Sequence, residues 1–140
     1  MVYLDTSALV PMFLREPKTD AVLAWLESAG EPVAVSDWSL VEFASAASMK
    51  VRSGSVTTKG ARDAIGQARA FVRAHCTVAT PRQEEFERAT ELAGDSSAGL
   101  RAGDALHLAI AEGLNVGTIL CFDDAMAQGA RALGMKVPGI

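Results

Sequence analysis

Four carboxylates in this 140-residue sequence stand among apolar and small residues: three are the only charge in their own stretch, and the fourth follows ten uncharged residues. These isolated acids are Asp5, Glu42, Asp104 and Asp123. Carboxylates are rarely buried unless they are paired with a base or a cation. The only base at short, regular spacing from any of them is Arg101, three residues before Asp104. The pattern therefore raises the question of what neutralises these acids in the folded chain.

Convergence of these acids would create a site for a divalent cation. Two carboxylates about 5 Å apart repel each other by about 3 kcal/mol at an effective dielectric constant of 20. Four acids that meet must therefore take up protons or hold a cation. Because all the donors are oxygens, Mg²⁺ or Mn²⁺ suits them better than zinc, which prefers Cys and His. The sequence thus indicates a magnesium or manganese site.

Each acid also has a plainer interpretation that the pattern leaves open. Asp5 suits the N-cap of a helix that starts at the next residue, and Asp123 or Asp124 suits the N-cap of the last helix. Asp104 is spaced to pair with Arg101 one turn back. Glu42 fits an exposed strip of its helix or a contact with a distant arginine.

Short apolar runs alternate with longer segments of helical period, a pattern typical of an α/β domain. The predicted strands are Val2–Asp5, Val33–Ser36, Thr77–Ala79, Thr118–Phe122 and Lys136–Val137. The predicted helices are Lys18–Ala29, Trp38 to Arg52, Thr57 or Thr58 to Ala74, Pro81 to Gly94, Arg101–Leu114 and Asp124–Leu133, together with a helical start at Thr6. We expect a mostly parallel, about five-stranded sheet between two helical layers, with its working crevice at the carboxyl ends of the strands. Asp5 and Asp123 stand at two such ends.

Composition narrows the functional classes. The net charge is −4, with 13 basic and 17 acidic residues, which argues against binding nucleic acid or membrane by bulk charge. Setting the four isolated acids aside, however, leaves equal numbers of acids and bases. We expect one domain over residues 1–140, with no membrane span and no signal peptide. The two distant cysteines, Cys76 and Cys121, suit a reducing cytoplasm.

Taken together, four segments resemble the PIN-domain ribonucleases, in particular the VapC toxins of toxin–antitoxin pairs. They are LDTSAL at 4–9, SDWSLVEF at 36–43, LRAGDALHLA at 100–109 and LCFD at 120–123, the last followed by a helix. The resemblance covers essentially the whole chain and implies a PIN-like fold. It implies that Asp5, Glu42, Asp104 and Asp123 form an acidic quartet that binds Mg²⁺ or Mn²⁺ and hydrolyses RNA internally. It also implies a cognate small antitoxin and a homodimer.

The resemblance also implies accessory roles for residues next to these acids. Thr6 and Ser7 are accessory candidates that would hold a water or the scissile phosphate, although helix-start chemistry explains them equally well. Asp124 competes with Asp123 as fourth acid, and we prefer Asp123 because it ends the strand. Many family members place Thr or Ser where this chain has Cys121, so that polar contact is in doubt here.

A run of basic residues forms a candidate RNA-binding ridge. It comprises Lys50, Arg52, Arg62, Arg69 and Arg73, of which the last three share one helix face. A solvated helix face is the default explanation for such a run, and an antitoxin contact fits it equally well. His107, one turn after Asp104, we interpret as a hydrogen-bonded core residue and not as a catalytic base.

Two other functions remain as alternatives. Phosphatases and receiver domains also place Asp at strand ends, but Ser7 stands where a dehalogenase-type phosphatase needs its second Asp. The second alternative is a catalytically silent protein-docking module, which an intact acidic quartet disfavours. Neither the phosphate-binding P-loop pattern nor the dinucleotide glycine pattern occurs in the sequence.

Overall fold

Four parallel strands form the central sheet of the computed structural model, which describes residues 1–140. They are β1 (Val2–Leu4), β2 (Val33–Ser36), β3 (Cys76–Ala79) and β4 (Thr118–Leu120). Their order in the sheet is β3-β2-β1-β4, so the chain builds to one side of β1 and then crosses to the other. The order reverses between β1 and β4, and the crevice of an open α/β sheet opens at such a reversal.

Seven helices and one short 3-10 turn connect the strands. The helices are α1 (Thr6–Leu9), α2 (Thr19–Ala29), α3 (Asp37–Arg52), α4 (Thr58–His75), α5 (Gln83–Gly94), α6 (Ala102–Gly113) and α7 (Asp124–Ala132), and the 3-10 turn is Val10–Met12. Side-chain caps set several starts: Ser36 accepts from the backbone N–H of Ser39 at α3, and Thr57 accepts from that of Gly60 at α4. None of the helices is both long and apolar enough to cross a membrane.

The predicted fifth strand, Lys136–Val137, is reduced to a single bridge. Lys136 pairs in parallel with Thr118, donating to the Gly117 carbonyl and accepting from the Ile119 N–H. The next residue in register for a ladder bond is Pro138, which has no N–H to donate. The pairing therefore stops after one residue, and the sheet has four strands instead of the expected five.

Apolar clusters cover both faces of the sheet, as expected of a three-layer α/β/α arrangement. Along β1 the side chains alternate: Tyr3 packs with α5, α6 and α7, whereas Val2 and Leu4 pack with the helices α1 to α4. Both faces of a parallel sheet are buried in this way, which explains why the strands read as continuous apolar runs. The two helical layers meet at the carboxyl edge of the sheet.

Candidate active site

The four isolated acids line one cleft of about 410 Å³ between the two helical layers. Asp5 and Asp123 follow β1 and β4, at the point where the strand order reverses. Glu42 comes from the second turn of α3, and Asp104 comes from the first turn of α6. The other lining residues are Thr6, Ser7, Ser45, Ala46, Met49, Arg101 and Gly103. Packing thus brings together residues from both ends of the sequence.

Three of these acids also cap helices. Asp5 Oδ1 accepts from the backbone N–H of Ala8 at 3.1 Å, and Asp123 Oδ1 accepts from that of Met126 at 3.0 Å. Asp104 Oδ2 accepts from the backbone N–H of Arg101 at 3.2 Å. In each case one carboxylate oxygen satisfies the helix start and leaves its partner oxygen for other contacts. Capping and a place in the cleft are therefore compatible roles.

Asp5 is the most deeply buried of the four, with 5% of its surface exposed. Burial raises the pKa of this carboxyl, although the hydrogen bond that Ser7 donates to Oδ1 at 2.6 Å opposes the rise. Oδ2 of Asp5 accepts no hydrogen bond from the chain. A buried carboxylate with one unsatisfied oxygen favours either a proton or a cation beside it.

Glu42 is held in its charged form by hydrogen bonds. Burial alone raises the pKa of Glu42, but donation to Oε2 by His107 Nε2 at 2.7 Å and by Thr6 Oγ1 at 2.5 Å outweighs it, so that this pKa lies below its ordinary value. The other oxygen, Oε1, lies against Gly103, where a Cβ atom would stand only 2.7 Å away. A glycine at this position therefore leaves room for the Glu42 carboxylate.

His107 connects Glu42 to the core. The imidazole is buried, and its Nδ1 lies 2.8 Å from the hydroxyl of Tyr3, which in turn lies 3.0 Å from Ser36 Oγ. The expectation of a hydrogen-bonded core histidine is confirmed. What the sequence did not indicate is that this histidine contacts the cleft acid Glu42, 65 residues away.

Arg101 is the one basic residue that lines the cleft. Its Nε lies 3.1 Å from Asp104 Oδ2, and its Nη2 lies 3.0 Å from Asp123 Oδ2. The hydrogen bond and charge of Asp104, with the charge of Asp123, raise the pKa of this guanidinium. Its spacing from Asp104 was visible in the sequence, whereas the bridge to Asp123 depends on the tertiary structure.

Comparison with known proteins identifies the family. The family model of the PIN domain matches residues 2–132. The chain belongs to the PIN domain family. This PIN domain is 31% identical over 139 residues to Ribonuclease VapC46 of Mycobacterium tuberculosis, covering 97% of this chain and 95% of the relative.

Solved structures share the fold of this PIN domain. The crystal structure of Mycobacterium tuberculosis VapC20, described as a sarcin-ricin loop cleaving toxin, matches with a TM-score of 0.70 and 21% identity, covering 92% of this chain and 95% of that one. VapBC2 of Rickettsia felis, bound to a DNA fragment from its promoter, matches with a TM-score of 0.66 and 15% identity, covering 99% and 98%. These matches support the PIN-like α/β fold that the sequence predicted.

The accessory hydroxyls of this PIN domain contact the acids directly. Thr6 donates to Glu42, and Ser7 donates to Asp5 while accepting from the backbone N–H of Phe122 at 2.9 Å. Both hydroxyls therefore hold carboxylates in place, a role that the sequence interpretation did not include.

The structure separates the two candidates for the fourth acid. Asp123 lines the cleft, while Asp124 is exposed in the first turn of α7 and does not line it. Cys121 is buried in the core cluster of α5 to α7, and burial raises the pKa of its thiol to about 12. A protonated, core-packed thiol supplies no polar contact to the cleft.

The five predicted basic residues differ in their local contacts. Lys50 Nζ lies 2.5 Å from Glu16 Oε1, and Arg52 donates to Ser48 Oγ at 2.7 Å. Arg62, Arg69 and Arg73 are exposed on α4 and form no ion pair. None of the five lines the cleft. We therefore restrict the candidate ridge to the three α4 arginines, because the other two have local partners.

The donor set of this PIN domain fits a hard divalent cation. No three His, Cys, Asp or Glu side chains lie close enough to form a preformed metal cage. Asp5 Oδ2, Glu42 Oε1 and Asp104 Oδ1 nevertheless accept no hydrogen bonds from the chain, and all belong to residues that line one cleft. Mg²⁺ is typically held by one or two carboxylates and keeps several waters, so it does not require a closed protein cage.

Proposed function

We propose that this PIN domain is a Mg²⁺- or Mn²⁺-dependent endoribonuclease, with Asp5, Glu42, Asp104 and Asp123 as its catalytic acids. The observation that carries the proposal is that these four isolated acids meet in one cleft. The 31% identity to a protein named as a ribonuclease over nearly the full length of both chains supports RNA as the substrate. Aspartate phosphotransfer is disfavoured, because the chain belongs to a different family from receivers and phosphatases.

Oxygen ligands for the cation come from the free carboxylate oxygens, with Asp5 and Asp104 as the principal donors. When bound, Mg²⁺ or Mn²⁺ supplies Lewis acidity, which lowers the pKa of water and stabilises charge on phosphoryl oxygens. Asp5 is suited to this role because its carboxylate is buried and the pKa of the carboxyl is raised by that burial. Asp123 adds a further negative charge to the lining of the cleft.

Glu42 orients the attacking water. Its low pKa keeps it ionised at neutral pH, and its Oε1 accepts a hydrogen bond from a water that approaches the phosphorus in line. Oε2 is unavailable for this task because Thr6 and His107 already donate to it. We assign Ser7 a positioning role, because its hydroxyl donates to Asp5 Oδ1 and accepts from the backbone N–H of Phe122.

We further propose that the protein is the toxin of a type II toxin–antitoxin pair, controlled by a small antitoxin. The names of the similar VapC and VapBC proteins support this role. A cleft lined by four acids fits a basic segment of the antitoxin, which would block it. Co-expression with the adjacent small reading frame, followed by sizing and a nuclease assay, tests the pairing. Unchanged activity in the complex would reject inhibition by that partner.

The decisive experiment maps cut sites on total RNA for the wild type and the Asp104→Asn variant, with Mg²⁺, Mn²⁺ or a chelator. Asparagine can still accept the capping hydrogen bond from Arg101, so the fold is retained while the charge is lost. Asp63→Asn, in an exposed acid paired with Lys59 on α4, is the matched control. We expect defined cleavage by the wild type and the control only. A folded wild type that cleaves no RNA and binds neither metal calorimetrically would instead support the silent docking module.

A further inference from the structure

Arg101 makes a contact that helix capping does not explain. Both α5 and α6 begin with an arginine followed three residues later by an acid, Arg82 with Glu85 and Arg101 with Asp104. In both, the arginine backbone N–H donates to the acid. Only Arg101 also contacts an acid of another element, Asp123, which lies 22 residues further along the chain. Its guanidinium thus bridges acids from two separate elements.

This bridge is exposed and therefore weak. The Arg101 side chain is 75% exposed, compared with 69% for Arg82. Each exposed ion pair changes an equilibrium constant by only about 1.4- to 5-fold, since water screens the charges. A doubly charged cation at the same carboxylates is attracted more strongly than the guanidinium.

The guanidinium and a cation compete for one oxygen of Asp123. Asp123 Oδ1 is engaged in capping α7, so Oδ2, the atom that Arg101 contacts, is the oxygen that remains for a ligand. Arg101 Nε also occupies Asp104 Oδ2. A cation that draws on Asp123 must therefore displace the guanidinium from Oδ2, whereas Asp104 offers a cation its free Oδ1.

A displaced guanidinium would remain at the mouth of the cleft. There it would be the nearest positive group of the chain to an incoming phosphate, because no other Lys or Arg lines the cleft. The planar guanidinium fork matches phosphate geometry, and four acids without such a group would repel an RNA backbone.

Resting on the proposed ribonuclease function, we propose that Arg101 exchanges partners in the catalytic cycle. It leaves Asp123 when a divalent cation takes Oδ2 of that acid, and it then donates to a non-bridging phosphate oxygen of the RNA. Arg101 thus competes with the cation for a carboxylate oxygen and, once displaced, contacts the substrate.

The test compares Arg101→Gln with the matched variant Arg82→Gln. Mn²⁺ binding is measured by calorimetry without RNA, and cleavage of an RNA oligonucleotide is measured at saturating Mn²⁺. We expect Arg101→Gln to bind Mn²⁺ about 2- to 25-fold more tightly, since two exposed pairs are removed. We expect its KM for RNA to rise about 10-fold or more, since a charged hydrogen bond is lost. Arg82→Gln should match the wild type in both, and Arg101→Lys should fall between.

The two effects have opposite signs, so general damage to the fold cannot imitate them. Mn²⁺ affinity that is unchanged or weaker in Arg101→Gln would overturn the competition, and an unchanged KM would overturn the phosphate contact. If the wild type is active while Arg101→Gln is indistinguishable from it, only this inference fails. If the wild type neither binds Mn²⁺ nor cleaves RNA, the proposed function itself fails.

Discussion

His107 Nε2 lies 2.7 Å from Glu42 Oε2, and this hydrogen bond joins a buried core residue to an acid of the cleft. The imidazole is held from behind by Tyr3, whose hydroxyl lies 2.8 Å from Nδ1. Glu42 is therefore positioned by the same packing that forms the sheet. Stability of the core and geometry of the cleft are coupled through one side chain.

Tyr3→Phe should reveal that coupling, because it removes one hydroxyl and keeps the ring. The loss leaves the buried His107 Nδ1 and Ser36 Oγ without their shared partner, which destabilises the fold by about 1–3 kcal/mol. We also expect kcat to fall, since His107 no longer holds Glu42 firmly. Urea unfolding and cleavage kinetics, both well below the unfolding temperature, measure the two effects. Full activity in a destabilised variant would show that Glu42 does not depend on this chain of contacts.

Asp5→Asn should abolish cleavage without lowering stability at neutral pH. Burial raises the pKa of Asp5 in the folded protein above its ordinary 3.8, so the wild type loses stability as pH rises from there through the folded-state pKa. The variant has no such loss, and its amide oxygen can still accept from Ser7 and Ala8. The variant should therefore be the more stable protein at pH 7, with the difference shrinking below about pH 4.

Thermal unfolding across pH, with and without Mg²⁺, checks this prediction. Added Mg²⁺ should raise the melting temperature of the wild type more than that of Asp5→Asn, because only the wild type retains the full donor set. The stability of Asp5→Asn minus that of the wild type should be larger at pH 7 than at pH 4. The opposite order would show that burial does not raise the pKa of Asp5.

Gly103→Ala should separate activity from stability. Its Cβ would stand 2.7 Å from Glu42 Oε1, so the flexible carboxylate must move aside. Alanine meanwhile favours a helix by up to about 1 kcal/mol relative to glycine. We expect unchanged or higher stability with at least about 10-fold lower kcat, because small displacements of catalytic groups are costly.

Gly113→Ala is the matched control at the other end of α6. There the added Cβ would stand 2.9 Å from Glu85 Oε1, a carboxylate outside the cleft. Cleavage rates and denaturation midpoints for both variants test whether activity falls in Gly103→Ala alone. Equal rates for both variants and the wild type would remove Glu42 Oε1 from the mechanism.

Asp123→Asn and Asp124→Asn should differ in activity although they alter adjacent residues. Asparagine caps a helix as well as aspartate does, so α7 should form in the Asp123 variant. We expect a loss of about 10-fold or more in kcat/KM for Asp123→Asn, since a charge lining the cleft is removed. Asp124 is exposed outside the cleft, and its variant should retain wild-type kinetics. The reverse ranking would make Asp124 the fourth acid.

The α4 arginines should affect RNA binding through salt dependence. Arg69→Gln should reduce the slope of log binding constant against log salt by about 0.7, the value for one lost phosphate contact on single-stranded RNA. Lys59→Gln on the same helix should leave the slope unchanged, since Lys59 is already paired with Asp63 at 2.6 Å. Fluorescence anisotropy over a salt series measures both slopes. An unaltered slope for Arg69→Gln would identify this face as a solvated surface.

Much of the fold was predictable because its signals are local. Every strand of the sheet was anticipated within one or two residues, and so were the caps at Asp5 and Asp123. The length of the fifth strand was overestimated, since Pro138 has no N–H and the ladder stops after one bridge at Lys136. Hydrophobic runs indicate where strands begin, whereas the length of a ladder depends on donors available in the register.

The sequence by itself determined which acids needed a partner, because each lies within or directly after an uncharged, largely apolar segment. It also identified the family, because the motifs surrounding those acids are local strings. Only the tertiary structure decided that Glu42 is held by His107 and that Arg101 reaches Asp123. Those contacts join residues far apart in the chain. They arise where the two helical layers meet at the edge of the sheet, and no pattern within one segment encodes that meeting.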